Sequence, residues 1–121
     1  MRFLKDAQGQ SVVMELTKGD STGSRTYEEM KAADSDGAAE KHVPVVTKAG
    51  QKLTVEVGSV PHPMLAEHSI MWAAVETNLG GHWIMLSPDT EPRVVFELQN
   101  GEEAKAVYIY CDLHGIWKTE V

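Results

Sequence analysis

A single cysteine stands in this chain of 121 residues, and one cysteine cannot close an internal disulfide. That fits a reducing compartment and leaves ligation, catalysis or plain burial as roles for the thiol. Nowhere do the roughly 18 consecutive apolar residues of a membrane span occur. The opening Met1-Arg2-Phe3-Leu4-Lys5-Asp6 also has no apolar stretch of signal-peptide length. The expectation is a cytoplasmic protein. Lysine and arginine number 11 against 18 acidic residues and form no long basic run. The resulting formal charge of -7 argues against a general nucleic-acid or anionic-membrane binder, which needs a basic face. Aromatic residues are scarce at 7%, but 42% hydrophobic residues suffice for one compact domain, with room for a small extension and no second large domain.

What is present is alternation. Leu53, Val55 and Val57, then Ile70, Trp72 and Ala74, then Val107, Ile109 and Cys111 occupy every second position, which is strand periodicity. Turn signals separate the runs at Ala49-Gly50, Asn78-Leu79-Gly80-Gly81, Pro88 to Pro92 and Asn100-Gly101. Six or seven short strands follow, and the expected fold is all-β, an immunoglobulin-like antiparallel β-sandwich. Residues 1–39 differ in character and read as a small appended module. Within them Ser11 to Leu16 suits a strand, Thr26-Tyr27-Glu28-Glu29 suits the cap of a short helix, and residues 19–24 and 34–37 are polar and turn-rich.

The cysteine and four of the five histidines fall in three clusters, Glu40-Lys41-His42, His62-Pro63-Met64 with His68, and Cys111-Asp112-Leu113-His114. Six residues span roughly 20 Å on a strand and turn about 240° on a helix, so His62 and His68 can share an ion only if the chain bends. Pro61 and Pro63 favour that loop. An offset of three likewise puts Cys111 and His114 on opposite faces of a strand and requires a turn, for which Gly115 supplies the freedom. In such a turn the backbone amides after the cysteine point at its sulfur. His42, shortly before Pro44, is expected to be extended or in a turn at the entry to the sandwich.

Imidazoles and a thiolate make a poor magnesium or calcium site, and zinc usually stops at four ligands. Five nitrogen and sulfur ligands with one open position suit iron. Each cluster alone is more often a turn or a packed residue; together they point to one centre. The remaining candidates read more simply: Met64, Met71 and Met85 as core filler, Trp72, Trp83 and Trp117 as core or site wall, His82 as a surface or structural histidine, and Glu102 and Glu103 as solvated turn charges.

Taken jointly, Glu40-Lys41-His42-Val43-Pro44, His62-Pro63-Met64 with His68, Ile70 and Trp72, and Cys111-x-x-His114-Gly115-x-Trp117 closely resemble the superoxide reductase iron domain of the desulfoferrodoxin and neelaredoxin family, over roughly residues 36–121. The resemblance implies a seven-stranded immunoglobulin-like fold and one mononuclear iron per chain. Its ligands would be equatorial His42, His62, His68 and His114 and axial Cys111. It further implies one-electron reduction of superoxide to hydrogen peroxide, with Lys41 drawing in the anion and Glu40 binding the oxidised, harder ion as candidate catalytic residues. Residues 1–39 contain no cysteine, so the second, four-cysteine iron centre of desulfoferrodoxins cannot form there. The division this implies is a degenerate metal-free module at 1–39 and a superoxide reductase iron domain at 40–121, supplied by an external donor such as rubredoxin and assembled as a homodimer. Two other classes stand beside this reading: a cupredoxin-like electron carrier, which usually adds a methionine after the Cys-x-x-His that is lacking here, and a non-catalytic immunoglobulin-like module.

Overall fold

A computed structural model describes residues 1–18, 26–34 and 39–121. The expected turn-rich segment 19–24 and residues 35–37 of the expected segment 34–37 lie outside the described residues. By compactness the chain divides into Met1–Lys31 and Ala32–Val121. In the first unit β1 (Phe3–Asp6) is the centre of a three-stranded antiparallel sheet, flanked by β2 (Val12–Met14) and β3 (Tyr27–Glu29). Of the helix cap expected at residues 26–29, Tyr27–Glu29 therefore form a strand. Three residues are too few to nucleate a helix, whereas Leu4, Lys5 and Asp6 offer them a ready ladder. Arg2 ties the sheet laterally, reaching Glu15 at 2.7 Å and Glu29 at 3.2 Å.

The second unit begins before the composition changes at residue 39, because Ala33 bridges Trp117. A single helical turn, α1 (Ala39–His42), then leads into seven strands: β4 (Pro44–Ala49), β5 (Lys52–Val57), β6 (Ile70–Thr77), β7 (Gly80–Met85), β8 (Arg93–Glu97), β9 (Ala104–Cys111) and β10 (Gly115–Glu120). They form a four-stranded sheet in the order β10-β9-β6-β7 and a three-stranded sheet in the order β4-β5-β8, all antiparallel. This is the expected immunoglobulin-like sandwich. The alternating positions fill its core, with Leu53, Val55 and Val57 from one sheet and Val107, Ile109 and Cys111 from the other fully buried. Burying such a side chain stabilises the fold by roughly 1.5–3 kcal/mol, so these strands cannot slip register without exposing a row of apolar groups.

One strand departs from simple alternation. The register shifts between Ile70 and Trp72, which face Cys111 and Tyr110, so Met71 is an extra residue in β6. Ile70 then falls in phase with buried Ala73 and Val75, while Trp72 is only half-buried and stacks on Tyr110 with centroids 5.5 Å apart. Met71, Met85 and Trp83 are exposed, so of the methionines and tryptophans expected in the core or site wall only Met64 and Trp117 are fully buried. Trp83 and Met85 face outward from β7, an edge strand of their sheet.

Glu102 corrects the sequence reading most sharply. Expected as a solvated turn charge, its side chain is 2% exposed. Its carboxylate accepts hydrogen bonds from Thr77 Oγ1 (2.7 Å), His82 Nε2 (2.8 Å) and the Gln99 amide (2.9 Å). This clasp ties the β6–β7 hairpin to the β8–β9 turn. Gln99 leads the causes that hold the Glu102 carboxyl below the usual carboxylate range, followed by Thr77 and then His82, against the opposing cost of burial.

Candidate metal centre

Three loops at one end of the sandwich bring the candidate ligands together. Gly58, with φ +84°, lets the chain after β5 run against α1 so closely that a Cβ there would lie 2.4 Å from the Val60 oxygen and 2.7 Å from the Glu40 oxygen. The Glu40 carbonyl in turn accepts the Val60 amide at 2.8 Å and the Ser59 hydroxyl at 3.3 Å. This packing seats α1, so that His42 is the last residue of a helical turn closed by Val43 N–H to Ala39 O (2.9 Å), the turn rather than the extended one of the two conformations expected for it. His62 follows in the proline-flanked loop. His68 precedes β6, with Leu65 and His68 bonding each other's backbone as an isolated bridge. Cys111 ends β9, and Gly115, at φ +80°, opens β10 after the turn that carries His114.

The four imidazoles make a quadrilateral. Ring centroids along its sides are 4.7 Å (His42–His62), 4.6 Å (His62–His68), 5.1 Å (His68–His114) and 4.8 Å (His114–His42), while the His42–His68 diagonal is 6.4 Å. Cys111 Sγ lies 3.6 Å from His114 Nδ1. One ligand atom from each of His42, His62, His68, Cys111 and His114 lies within 4.8 Å of all the others, so this group could hold a metal ion. Burial is graded across it: Cys111 is 0% exposed, His42 2% and His62 3%, while His68 is half-buried and His114 is at the surface. Cys111 is thus the most enclosed of the candidate ligands.

The donors are prepared for a cation. His62 Nδ1 is 2.6 Å from the Pro63 carbonyl oxygen, which only accepts, so Nδ1 carries the proton and Nε2 presents its lone pair to the cluster. That Nε2 is 3.2 Å from His42 Nε2, which is itself 3.1 Å from His114 Nδ1. Burial pushes the His62 pKa down to about 4, aided by His42, His68 and His114 and opposed by the Pro63 carbonyl, so the ring is a neutral base at neutral pH. His68 Nε2 is buried with no hydrogen-bond partner. Such an orphaned polar atom is costly unless something fills its lone pair, and a metal ion at the centre of the quadrilateral would. Burial also raises the Cys111 pKa, while the Leu113 and His114 amides, aimed at the sulfur as expected, pull it back. Metal binding would take the thiol proton. Four imidazole nitrogens in a quadrilateral plus one sulfur exceed the four ligands of structural zinc and lack the oxygens that calcium and magnesium prefer. The set fits iron.

Glu40 and Lys41 are exposed in the same helical turn as His42. Trp117 is more than wall: its ring stacks on His42, and its Nε1–H donates to the His114 carbonyl at 3.2 Å. Gly58 and Asp112 also shape the site and escaped the sequence reading. The only hint was the position of Asp112 between Cys111 and His114, because the contact of Gly58 with α1 crosses sequence-distant segments. His82 has its structural role in the Glu102 clasp and takes no part in the cluster.

An antiparallel sandwich with one cysteine and four histidines converging at one end defines a non-haem metalloprotein class rather than a cupredoxin, whose copper takes two histidines and a cysteine. The Desulfoferrodoxin family model matches residues 34–120, and the chain belongs to the desulfoferrodoxin family. It is 39% identical to a desulfoferrodoxin of Clostridium acetobutylicum over 99 residues, covering 82% of this chain and 77% of that one. To a superoxide reductase of Pyrococcus horikoshii it is 35% identical over 103 residues, covering 71% and 90%. The fold resembles the crystal structure of the superoxide reductase from Treponema pallidum with TM-score 0.77 and 33% identity, covering 98% of each chain. Neither the cupredoxin-like carrier nor the non-catalytic module is favoured beside these matches.

Proposed function

We propose that this chain is a superoxide reductase that converts superoxide to hydrogen peroxide at one mononuclear iron, with His42, His62, His68, His114 and Cys111 as ligands. The observation that carries the assignment is the quadrilateral of imidazoles with the buried sulfur beside it. Iron, when bound, supplies the one-electron couple. Superoxide takes up that electron and two protons. The protein's own groups do the rest. The Pro63 carbonyl holds the His62 tautomer, the Trp117 ring and N–H hold the His42 and His114 arms, and the Leu113 and His114 amides spread the charge on Sγ. Lys41, exposed beside the site in a chain of net charge -7, attracts the substrate anion locally. We assign the neighbouring Glu40 carboxylate to the oxidised site, where a hard oxygen donor is preferred.

Residues 1–39 serve in this reading as a metal-free remnant of the family's N-terminal module, a role supported by the absence of cysteine there, and they pack in a homodimer. The electron comes from an external donor such as rubredoxin, and the protein works in the cytoplasm. No helix among the described residues is long and apolar enough to cross a membrane.

Purified protein should carry one iron per chain, show a visible thiolate-to-ferric charge-transfer band that ascorbate removes, and consume superoxide without releasing oxygen. Copper or zinc at stoichiometry, or oxygen release in step with superoxide loss, would overturn the assignment.

A further inference from the structure

Asp112 occupies the turn between two ligands, yet its side chain reaches across to the third loop. Its Oδ1 accepts the amide of Ser69 at 3.1 Å, and its own amide donates to the Ser69 carbonyl at 3.2 Å. Ser69 is buried and directly follows His68. The same Oδ1 is 3.9 Å from Cys111 Sγ. One carboxylate oxygen therefore touches both the backbone that carries His68 and the sulfur of Cys111.

Two consequences follow from this placement. The reciprocal bonds lock the 111–115 turn to the start of β6, so the sulfur and the His68 ring move as one body. The carboxylate also sets a negative charge beside a sulfur that has no exposure of its own. Solvent screens charges poorly there, and an effective dielectric constant of about 20 leaves a substantial interaction over a few ångströms. A negative charge stabilises the more positive, oxidised ion more than the reduced one. A neutral amide at position 112 would keep the acceptor for the Ser69 N–H and lose the charge.

We infer that Asp112 is a positioning residue that holds the sulfur and His68 loops together and, through its charge beside Cys111, biases the metal centre toward its oxidised state and so strengthens it as a reductant. This rests on the iron assignment above.

The test is a redox titration of the holoprotein followed at the charge-transfer band, on wild type, Asp112→Asn, Asp112→Ser and Asp112→Ala. Asp112→Asn should shift the oxidised-to-reduced equilibrium about tenfold toward the reduced form, about 59 mV for one electron, with iron content and melting temperature unchanged. Asp112→Ser, which keeps a short acceptor without charge, should shift it in the same direction and guards against an asparagine variant that fails to assemble. Asp112→Ala should add loss of iron to a competing chelator. A shift below threefold in the charge-free variants that retain iron, or a shift toward the oxidised form, overturns the inference. Wild type without iron or without the band overturns the iron reading and this inference with it, so the two failures are distinguishable.

Discussion

The imidazole of His42 lies against the indole of Trp117, with centroids 4.7 Å apart and planes inclined by 18°. The same indole donates its N–H to the His114 backbone carbonyl at 3.2 Å. One core residue on β10 thus orients two adjacent corners of the imidazole quadrilateral, which come from opposite ends of the second unit in sequence.

Trp117→Phe keeps an aromatic face for His42 and loses the N–H, whereas Trp117→Ala loses both. Outer residues that orient ligands typically contribute 10–100-fold in metal affinity, so iron affinity should fall by about tenfold in the first variant and further in the second. Trp117→Ala should also cost about 3–5 kcal/mol of stability as a large-to-small core change. Chelator competition and denaturant unfolding measure the two effects separately. Wild-type iron affinity in Trp117→Ala would contradict the orienting role.

Gly58→Ala should damage the site from a position that holds no ligand. Its positive φ disfavours any side chain, and the added Cβ would meet the Val60 and Glu40 carbonyls at 2.4 and 2.7 Å. Backbone strain of this kind costs about 1–3 kcal/mol, and relief requires α1 to move, carrying Glu40, Lys41 and His42 with it. A lower melting temperature together with weakened iron retention is expected. Loss of stability with unchanged iron binding would show that α1 tolerates the shift.

Lys41 and Glu40 stand side by side but should affect different steps. Lys41→Ala should lower the second-order rate with superoxide by about tenfold, and the wild-type rate should fall with ionic strength more steeply than that of the variant. Glu40→Ala should leave or raise that rate and instead shift the ferric charge-transfer band. Pulse radiolysis across a salt series checks both. Equal slowing by the two substitutions would return Lys41 to an ordinary surface charge.

The Glu102 clasp predicts acid sensitivity. Because its folded pKa is depressed, it contributes stability that is full above the unfolded carboxylate value of about 4.3 and is lost as pH falls through the lower folded value. Glu102→Gln should be less stable than wild type at neutral pH, and the gap should close as pH falls below about 4. Denaturant unfolding as a function of pH would show it. A gap independent of pH would mean the clasp acts through hydrogen-bond geometry alone.

The alternating runs at Leu53–Val57 and Val107–Cys111 were legible in the sequence because a half-buried strand has no other way to hide apolar side chains, and the turn residues between them set the hairpins. The five candidate ligands were legible because scarce residue types stood in short motifs whose spacing forbids regular structure, and the structure brings them together. What the sequence could not carry are contacts between its distant parts. Tyr27 to Glu29 became a strand because β1 offered a ladder, and the Met71 bulge depends on the register with β9. Glu102 is buried because Thr77 and His82 meet it from another hairpin, while Trp83 is exposed because its strand is a sheet edge facing outward. Asp112 reads as one more polar turn residue until Ser69 is found beside it. Local spacing determined which residues could bind a metal. Only the tertiary structure decided which neighbours hold them, because a partner's identity depends on segments that fold together from far apart along the chain.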